Sequence, residues 1–364
     1  MKRTDFFVCV KRLHALMSFR RNLPQRRDHR PIGNCAQCWG RFFQDDKNST
    51  PIYTNKKYRR IGLLFVPALL ALVELFFQTT IMAQEKNTNT KPVWADLNVI
   101  DIHGHIGSFL GYDLRTETLM DNINRFGIRL VLISNIDGAH LPGKTLDLDE
   151  VTANRITLET VQKYPDKLRG LVWTRPTDPK GSPKNVETFL REHGFVGVKF
   201  HPEMNQFPAD SSCVDGYLDL CEKYQVPAVF HCGAKGSESG PEKIYAAARR
   251  YPSVPVVLYH MGFLGPHHDA TAAVKEALAK KNADLYLETS QADPVAVLQA
   301  VAEVGADRIL FGTDATYYGR EHYEKYLIMV GQLQQKLQKS DFDKIMQTNA
   351  TKLFRLPERA ALQH

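Results

Sequence analysis

Cysteine is scarce in this chain, which excludes a protein built on disulfides. Six of the 364 residues are cysteine, and the body that follows the N-terminal region holds three of them, Cys213, Cys221 and Cys232. An odd number of scattered cysteines does not make a disulfide framework, so we interpret them as buried thiols. Cys35 and Cys38 form a lone C-x-x-C pair. Without a second pair or a strand-helix context, that pair is weak evidence for a zinc or redox site.

The body also lacks excess positive charge, although the chain as a whole is basic. Residues 1–60 carry 15 Lys and Arg against 4 Asp and Glu, a net charge of +11. Of the chain's 47 basic and 40 acidic residues, this leaves 32 and 36 for the rest, a net charge of −4. A mildly acidic body argues against a basic groove that follows phosphates. We therefore expect a small-molecule substrate and no nucleic-acid partner, and homo-oligomers remain possible.

One long apolar run precedes the body. Four basic residues open the segment 56–83, KKYRRIGLLFVPALLALVELFFQTTIMA, and about 17 mainly apolar ones follow. This order predicts a basic leader over residues 1–60, a signal peptide or membrane anchor over 61–83, a polar linker over 84–96 and a catalytic domain over 97–357. We therefore expect a protein that is exported or anchored to a membrane. The sequence leaves open whether the leader is cleaved and whether translation starts at the first methionine.

Eight short β-branched runs recur in the body, each followed by a polar turn and a helical pattern. Their starts are 25 to 38 residues apart, the spacing of βαβ units. The predicted strands are 99–105, 130–136, 168–175, 195–201, 226–231, 254–260, 283–289 and 308–314. Eight such units predict an α/β fold, a single (β/α)8 TIM barrel. An open doubly wound sheet is less favoured, because no glycine fingerprint follows the first strand.

Histidines gather where the predicted strands end. In a (β/α)8 barrel the chemistry lies at the carboxyl ends of the strands, so residues there are expected to face one cavity. Five of the 13 histidines lie at such ends, together with one aspartate. They are His103, His105, His201, His231, His260 and Asp314. In the first strand, simple alternation would put Asp101 on the same face as the two histidines. Neutral imidazoles with a carboxylate suit Zn²⁺, and also Mn²⁺ or Fe²⁺.

The strand-end motifs resemble the amidohydrolase superfamily. Besides the H-x-H of the first strand, they are GVKFHP, VPAVFHCG, VVLYHMGF, DRILFGTDA and NATKLF. They look most like the amidohydrolase-related (amidohydrolase 2) branch of metal-dependent hydrolases and non-oxidative decarboxylases, and the likeness runs from residue 97 to about 356. The metal ligands that this resemblance implies are His103, His105, His231 and Asp314. It gives His260 the role of an acid or base, or of a group that polarises the substrate.

The fourth strand bears on the number of metal ions. Many binuclear relatives carry a carbamylated lysine there, and Lys199 lies on this strand. It comes two residues before His201, which is level with His231 when VKFHP is set beside AVFHCG. We therefore predict one divalent metal, preferably zinc, with Lys199 paired to a carboxylate low in the barrel and His201 facing the substrate. A second metal on a carbamylated Lys199 is the alternative. The acidic residue that TatD-type nucleases use on this strand is missing, which argues against a nuclease.

Further candidates lie near the strand ends. Arg175 is a candidate clamp for a substrate carboxylate, with a surface salt bridge as the alternative. Glu288 and Ser290 share a face of the seventh strand, and Tyr317 follows Asp314 into the last loop. We expect Tyr317 to contact the substrate.

Three functions fit these residues. A metal lowers the pKa of bound water to about 7, and Asp314 would take its proton, so we predict a hydrolase of amide, ester or lactone bonds. The alternative is a non-oxidative decarboxylase with the same metal site, in which His260 or Asp314 protonates carbon. A non-catalytic binding barrel is disfavoured by the full ligand set. Export favours hydrolysis, because an enzyme outside the cell acts on external nutrients.

Overall fold

The structure is a computed structural model and describes residues 91–358. The predicted leader (1–60), the signal or anchor (61–83) and the linker as far as residue 90 lie outside the described residues. Between residues 91 and 358, no helix combines the length and the apolar character needed to cross a bilayer. Export and membrane attachment therefore stay predictions.

Eight parallel strands form one sheet in the order β1 to β8, and this confirms the predicted (β/α)8 barrel. The strands are β1 Ile100–Ile106, β2 Leu130–Asn135, β3 Leu168–Trp173, β4 Gly197–Phe200, β5 Ala228–His231, β6 Pro255–Tyr259, β7 Asp284–Glu288 and β8 Ile309–Leu310. Nearly every strand residue is buried, as expected for a parallel sheet that is covered on both faces. The predicted strand 308–314 is wrong for most of its length, since only two residues pair regularly in β8.

Helices alternate with the strands and cover the barrel. The α-helices of the described range are α1 Thr116–Phe126, α2 Glu150–Lys163, α3 Pro183–His193, α4 Pro202–Asn205, α5 Asp215–Tyr224, α6 Pro241–Ala248, α7 His267–Lys280, α8 Pro294–Val304, α9 Leu327–Lys336, α10 Lys339–Asp343 and α11 Asn349–Leu353. Residues at the helix N-termini explain where several helices begin. Asp149 caps α2 by accepting a hydrogen bond from Thr152 N at 2.8 Å. Several other helices begin with proline.

Two hydrophobic clusters make up most of the core. One cluster lies between the sheet and the helices, and Val131 and Ile133 belong to it. A smaller cluster fills the barrel interior below the site, and Ile100, Ile102 and Leu132 belong to it. This inner layer supports the floor of the cavity described below.

A β-bulge in β1 separates Asp101 from the two histidines that follow it. Asp101 pairs with Val131 but Gly104 pairs with Ile133, so β1 holds one residue more than β2 over this stretch. The expectation that Asp101 shares a face with His103 and His105 is therefore wrong. A Cβ on Gly104 would lie 2.8 Å from the Val131 side chain, so the close approach of the two strands requires glycine.

Asp101 closes the barrel. Its carboxylate accepts hydrogen bonds from the backbone N of Thr313 at 3.1 Å, from the Thr313 hydroxyl and from the Tyr323 hydroxyl at 2.9 Å. Nearby, Ala315 N donates to the carbonyl of His103 at 2.9 Å. The segment after the short strand β8 is thereby fixed against β1.

The part of the predicted linker that the structure describes packs against the barrel. Trp94 is buried, its backbone N donates to the carbonyl of Phe126 at 2.8 Å, and its ring lies against Phe126 and Tyr323. The folded domain therefore begins before residue 97, where the polar sequence did not indicate it.

Candidate active site

A cavity of about 330 Å³ lies at the carboxyl ends of the strands. Its lining contains all the predicted metal ligands and catalytic residues and the predicted substrate contacts His201 and Tyr317, but not Arg175, Glu288 or Ser290. The lining residues are His103, His105, Phe109, Tyr112, Ile136, Lys199, His201, Met204, His231, His260, Phe263, Gln291, Asp314, Tyr317 and Tyr318. A larger groove of about 670 Å³ is lined by residues at the opposite ends of the strands, among them Pro255, Asp284 and Arg308. It holds no histidine, so the chemistry belongs to the smaller cavity.

Three predicted metal ligands converge at the floor of this cavity. The Nε2 atoms of His103 and His105 lie 3.2 Å apart. Asp314 Oδ1 is 3.2 Å from the first Nε2 and 3.4 Å from the second. Donor atoms this close to one another can share a single ion.

The opposite nitrogen of each imidazole has its own partner. His103 Nδ1 lies 3.2 Å from Glu288 Oε2 and 3.1 Å from Ser290 Oγ, and His105 Nδ1 lies 3.2 Å from Ser134 Oγ. A proton on each Nδ1 satisfies these contacts and leaves the Nε2 lone pairs facing each other and a carboxylate oxygen. Lone pairs that converge in this way repel one another unless a cation lies among them, so the residues fit a divalent metal.

Burial keeps the two imidazoles neutral. It lowers the pKa of His105 to about 3 and that of His103 well below its usual value, and the positive charge of Lys199 adds to both effects. Neutral imidazoles are the form that ligates metals.

Glu288 joins the metal cluster to His260. Its carboxylate accepts from His260 N at 3.0 Å and from Ser290 Oγ at 2.7 Å, and it faces His103 Nδ1. Ser290 Oγ also lies 2.8 Å from His260 Nδ1. Glu288 is fully buried, and burial raises its pKa to about 8. The sequence placed Glu288 and Ser290 on one face but did not indicate that they orient both histidines.

The two predicted catalytic residues have an unusual backbone. His260 has φ 66° and Asp314 has φ 60°, in the left-handed region that residues with a side chain rarely adopt. Such conformations cost of order 1 kcal/mol or more and concentrate at functional sites. The conformation of Asp314 is held by the Thr313 contacts with β1 on one side and by the Ala315 contact on the other.

His201 and His231 line the cavity beside the metal cluster. The rings stack on each other, and His231 Nε2 lies 3.9 Å from Glu203 Oε2. The ring nitrogens of these two histidines group with Glu203, and His231 does not join the cluster of His103, His105 and Asp314. Its role as a fourth ligand stays a prediction.

Lys199 differs from its predicted arrangement. Its Nζ is buried and makes no hydrogen bond within residues 91–358. It lies 4.1 Å from the ring centroid of Tyr259, a cation–π contact, so the predicted pairing with a carboxylate is wrong. Burial lowers the pKa of Lys199, and the negative charges of Asp314 and Glu288 oppose that change.

Arg175 lies outside the cavity. Its guanidinium pairs with Asp147 Oδ1 at 3.0 Å and with Asp178 Oδ2 at 2.7 Å, and it donates to the Leu148 carbonyl at 2.7 Å. These contacts use the donors that a substrate carboxylate would need. The prediction of Arg175 as a substrate clamp is therefore not supported by its position.

Aromatic side chains form the upper walls of the cavity. Tyr317, a predicted substrate contact, meets Tyr112 edge to face at 5.1 Å, and Phe109 stacks on Tyr112 at 5.9 Å. Phe263 packs near His231 and His260 at another part of the wall. Sequence reasoning missed Phe109, Tyr112 and Phe263, because they lie in loops without a periodic pattern.

The sequence matches the family model described as Amidohydrolase over residues 133–356. One curated relative, the gamma-resorcylate decarboxylase of a Polaromonas species, is 25% identical over 254 residues, which cover 56% of this chain and 75% of the relative.

Solved structures with the same fold include two decarboxylases. The 5-carboxyvanillate decarboxylase of Novosphingobium aromaticivorans, complexed with manganese and a nitrobenzoic acid, matches with a TM-score of 0.58 and 14% identity over 74% of this chain and 100% of that one. The 2,6-dihydroxybenzoate decarboxylase of Rhizobium matches with a TM-score of 0.54 and 18% identity over 71% of this chain and 98% of that one. At these identities the likeness shows the fold.

Proposed function

The chain belongs to the amidohydrolase family, and from this membership we propose that it is a metal-dependent, non-oxidative decarboxylase of a small aromatic carboxylic acid. The sequence pattern favoured hydrolysis and held decarboxylation as the alternative. The relatives support that alternative, because the curated relative and the two structural neighbours described above are decarboxylases of aromatic acids.

The observation that carries the proposal is the aromatic enclosure above the metal cluster. A volume of about 330 Å³ suits a substrate with a single ring, and Phe109, Tyr112, Tyr317 and Phe263 provide flat surfaces for it. Apolar ring faces of this kind lower the polarity around a bound carboxylate. Loss of CO₂ disperses the carboxylate charge and is favoured by apolar surroundings, whereas hydrolysis requires an ordered water.

His103, His105 and Asp314 would hold the divalent cation, with His231 as the predicted fourth ligand. Two imidazoles and a carboxylate suit manganese as well as zinc. Manganese in a neighbouring decarboxylase leads us to propose Mn²⁺ ahead of the Zn²⁺ favoured from the sequence. The bound cation would supply positive charge that holds oxygens of the substrate.

The remaining steps belong to side chains of this chain. The aromatic walls hold the ring, the bond between the ring carbon and the carboxylate breaks, and its electron pair stays on the ring carbon. A proton then reaches that carbon from Asp314, through the carboxylate oxygen that does not face the imidazoles, while His260 polarises the substrate. The products are CO₂ and the ring with one new C–H bond.

The test is a pair of assays on metal-loaded protein. One measures CO₂ released from a panel of hydroxylated benzoic acids in D₂O, where decarboxylation leaves one deuterium on the carbon that lost the carboxylate. The other measures opening of aryl esters, anilides and lactones. We expect CO₂ release with deuterium incorporation, and loss of this activity in His103→Ala. Turnover of the ester, anilide or lactone panel without CO₂ release would refute the proposal and support the hydrolase function predicted from the sequence.

We also propose export or anchoring through residues 61–83, on the basis of the basic and then apolar order of residues 56–83. If the segment is a cleaved signal, protein recovered from the cell envelope or the medium begins near Gln84, whereas an anchored protein keeps residues 61–83. Soluble cytoplasmic protein that still begins at Met1 would contradict export.

A further inference from the structure

Lys199 is the single lysine or arginine among the residues that line the described cavity. Its side chain is 1% exposed, and its Nζ has no hydrogen-bond partner within residues 91–358. The cation–π contact with Tyr259 occupies one side of the ammonium group. An ammonium carries three donors, so donors remain without an acceptor in a buried place, which is costly unless a ligand supplies one.

The nearby carboxylates do not fill this role. Glu288 accepts from His260 N, Ser290 N and Ser290 Oγ and faces His103 Nδ1. Asp314 directs Oδ1 at the two imidazoles of the metal cluster. Neither carboxylate comes within ion-pair distance of Lys199 in the described structure. Lys199 is among the residues that line the cavity, so a ligand bound there is the remaining candidate acceptor for its free donors.

Lys199 and the metal cluster contact the same aromatic ring. Tyr259 lies 4.1 Å from Lys199 Nζ, and its ring centroid is 3.8 Å from that of His103. Lys199 and the three converging ligands also line one cavity, so a single ring ligand bound there can carry one oxygen toward each group.

Resting on the proposed decarboxylase function, we propose that Lys199 Nζ binds a substrate oxygen that is not part of the departing carboxylate, such as a phenolate or a second carboxylate on the same ring. A cation placed on the departing carboxylate would stabilise the charge that must leave it. A ring oxygen conjugated with the reacting carbon instead gains negative charge as the bond breaks, so a cation there stabilises the transition state more than the ground state. Lys199 thereby selects hydroxylated or dicarboxylated ring acids over plain benzoates.

The experiment compares the binding of 4-nitrophenol and nitrobenzene, which have the same ring and differ by one acidic oxygen, to metal-loaded protein. Calorimetry gives the affinities, and the visible absorption band of the phenolate reports the ionised form of the bound ligand. The variants are Lys199→Met and, as a matched control, Lys275→Met, whose exposed ammonium pairs with Glu303 at 3.2 Å. Metal content and thermal unfolding are measured for each protein.

Lys199→Met is expected to lose about 10- to 100-fold in affinity for nitrophenol together with the phenolate band, while nitrobenzene affinity and metal content stay unchanged. Lys275→Met should match the wild type. Lys199→Gln, which keeps a polar end without the charge, carries the same comparison if Lys199→Met fails to fold.

Three results would overturn the inference. Unchanged nitrophenol affinity would show that Lys199 does not bind the oxygen, and an equal loss for both probes would reduce it to a packing role. Loss of metal from the variant, with a wild-type mass raised by one CO₂, would make Lys199 a carbamate ligand. The probes are not substrates, so their discrimination by Lys199 is measured whether or not the protein releases CO₂. Failure of the decarboxylase proposal is therefore distinguishable from failure of this one.

Discussion

The imidazole rings of His201 and His231 stack face to face, with their centroids 4.0 Å apart and their planes inclined by 12°. Both rings are buried, and burial holds the pKa of each well below its usual value, so the pair is neutral. The stack keeps His231 beside the metal cluster and outside it.

This arrangement predicts an order of metal affinities. His103→Ala should release the metal, because it removes one of three converging ligands. His231→Ala should weaken binding less, because the His231 ring nitrogens do not group with the three converging ligands. Metal content after dialysis against a chelator is therefore expected to fall from wild type to His231→Ala to His103→Ala. Complete loss in His231→Ala would show that this ring is a full ligand in the loaded protein.

We expect one divalent metal per chain. The three convergent donors form one compact site, and Lys199 is held on the face of Tyr259 away from hydrogen-bonding partners. Elemental analysis and the intact mass check both points. Two metals per chain with a mass raised by one CO₂ would support the carbamylated Lys199 that the sequence left as an alternative.

Asp314→Asn is expected to separate binding from catalysis. Asparagine keeps the size of the side chain and one oxygen directed at the metal, but it does not hold a transferable proton at neutral pH. The variant should keep much of its metal and lose about 10²- to 10⁴-fold in kcat, the range for loss of a general acid or base. His260→Asn should also keep its metal and turn over more slowly. Near-normal turnover by metal-loaded Asp314→Asn would leave that residue a ligand only and transfer the acid role to His260.

Arg175→Met should affect folding and leave catalysis intact. The guanidinium lies between Asp147 and Asp178, and its removal leaves Asp147 with His140 alone and Asp178 with the backbone N of Lys180 alone. We expect the free energy of unfolding to fall by about 2 kcal/mol. Because Arg175 does not line the cavity, KM should not change. Denaturant unfolding and steady-state kinetics test the two parts, and a raised KM at unchanged stability would return Arg175 to the substrate site.

His322 gives the fold a defined pH dependence. Its ring is buried, Nε2 lies 2.9 Å from Thr313 Oγ1, and burial lowers its pKa from 6.5 to about 3. The unfolded chain therefore binds a proton that the folded chain excludes, and stability falls as the pH drops from 6.5 toward 3. His322→Gln should remove this contribution.

The measurement is the difference in free energy of unfolding between wild type and His322→Gln. When the pH falls from about 7 to about 5, the wild type should lose about 2 kcal/mol of unfolding free energy relative to His322→Gln. His268→Gln, at an exposed position, is the control for the replacement of a histidine by glutamine. A pH-independent difference would mean that His322 does not titrate on unfolding.

The barrel was predictable because the same sequence pattern, a β-branched run followed by a helical segment, repeats eight times. Each β-branched run packs on both faces, so hydrophobicity alone marks it, and the carboxyl-end rule then brings distant histidines to one cavity. That reasoning placed His103, His105 and Asp314 near one another, and their donor atoms do converge although the residues are far apart in the sequence. It failed at β8, because the segment from Phe311 to Asp314 is held to β1 through Thr313 and lies outside any regular strand.

The remaining errors have local physical causes. Alternation along β1 misplaced Asp101 because an extra residue in a strand leaves no mark in the hydrophobic pattern. Arg175 was misassigned because its partners, Asp147 and Asp178, lie in irregular segments whose paths depend on the whole fold. The same is true of Phe109 and Tyr112.

The closure of the barrel through Asp101 and Thr313 also sets the order of events during biosynthesis. A chain leaving the ribosome exposes His103 and His105 long before Asp314 has been made. The third ligand reaches its place only when the segment after β8 binds β1, so completion of the fold and completion of the metal site are one event. A nascent chain that stalls before Asp314 would therefore present an open sheet and two of the three converging ligands.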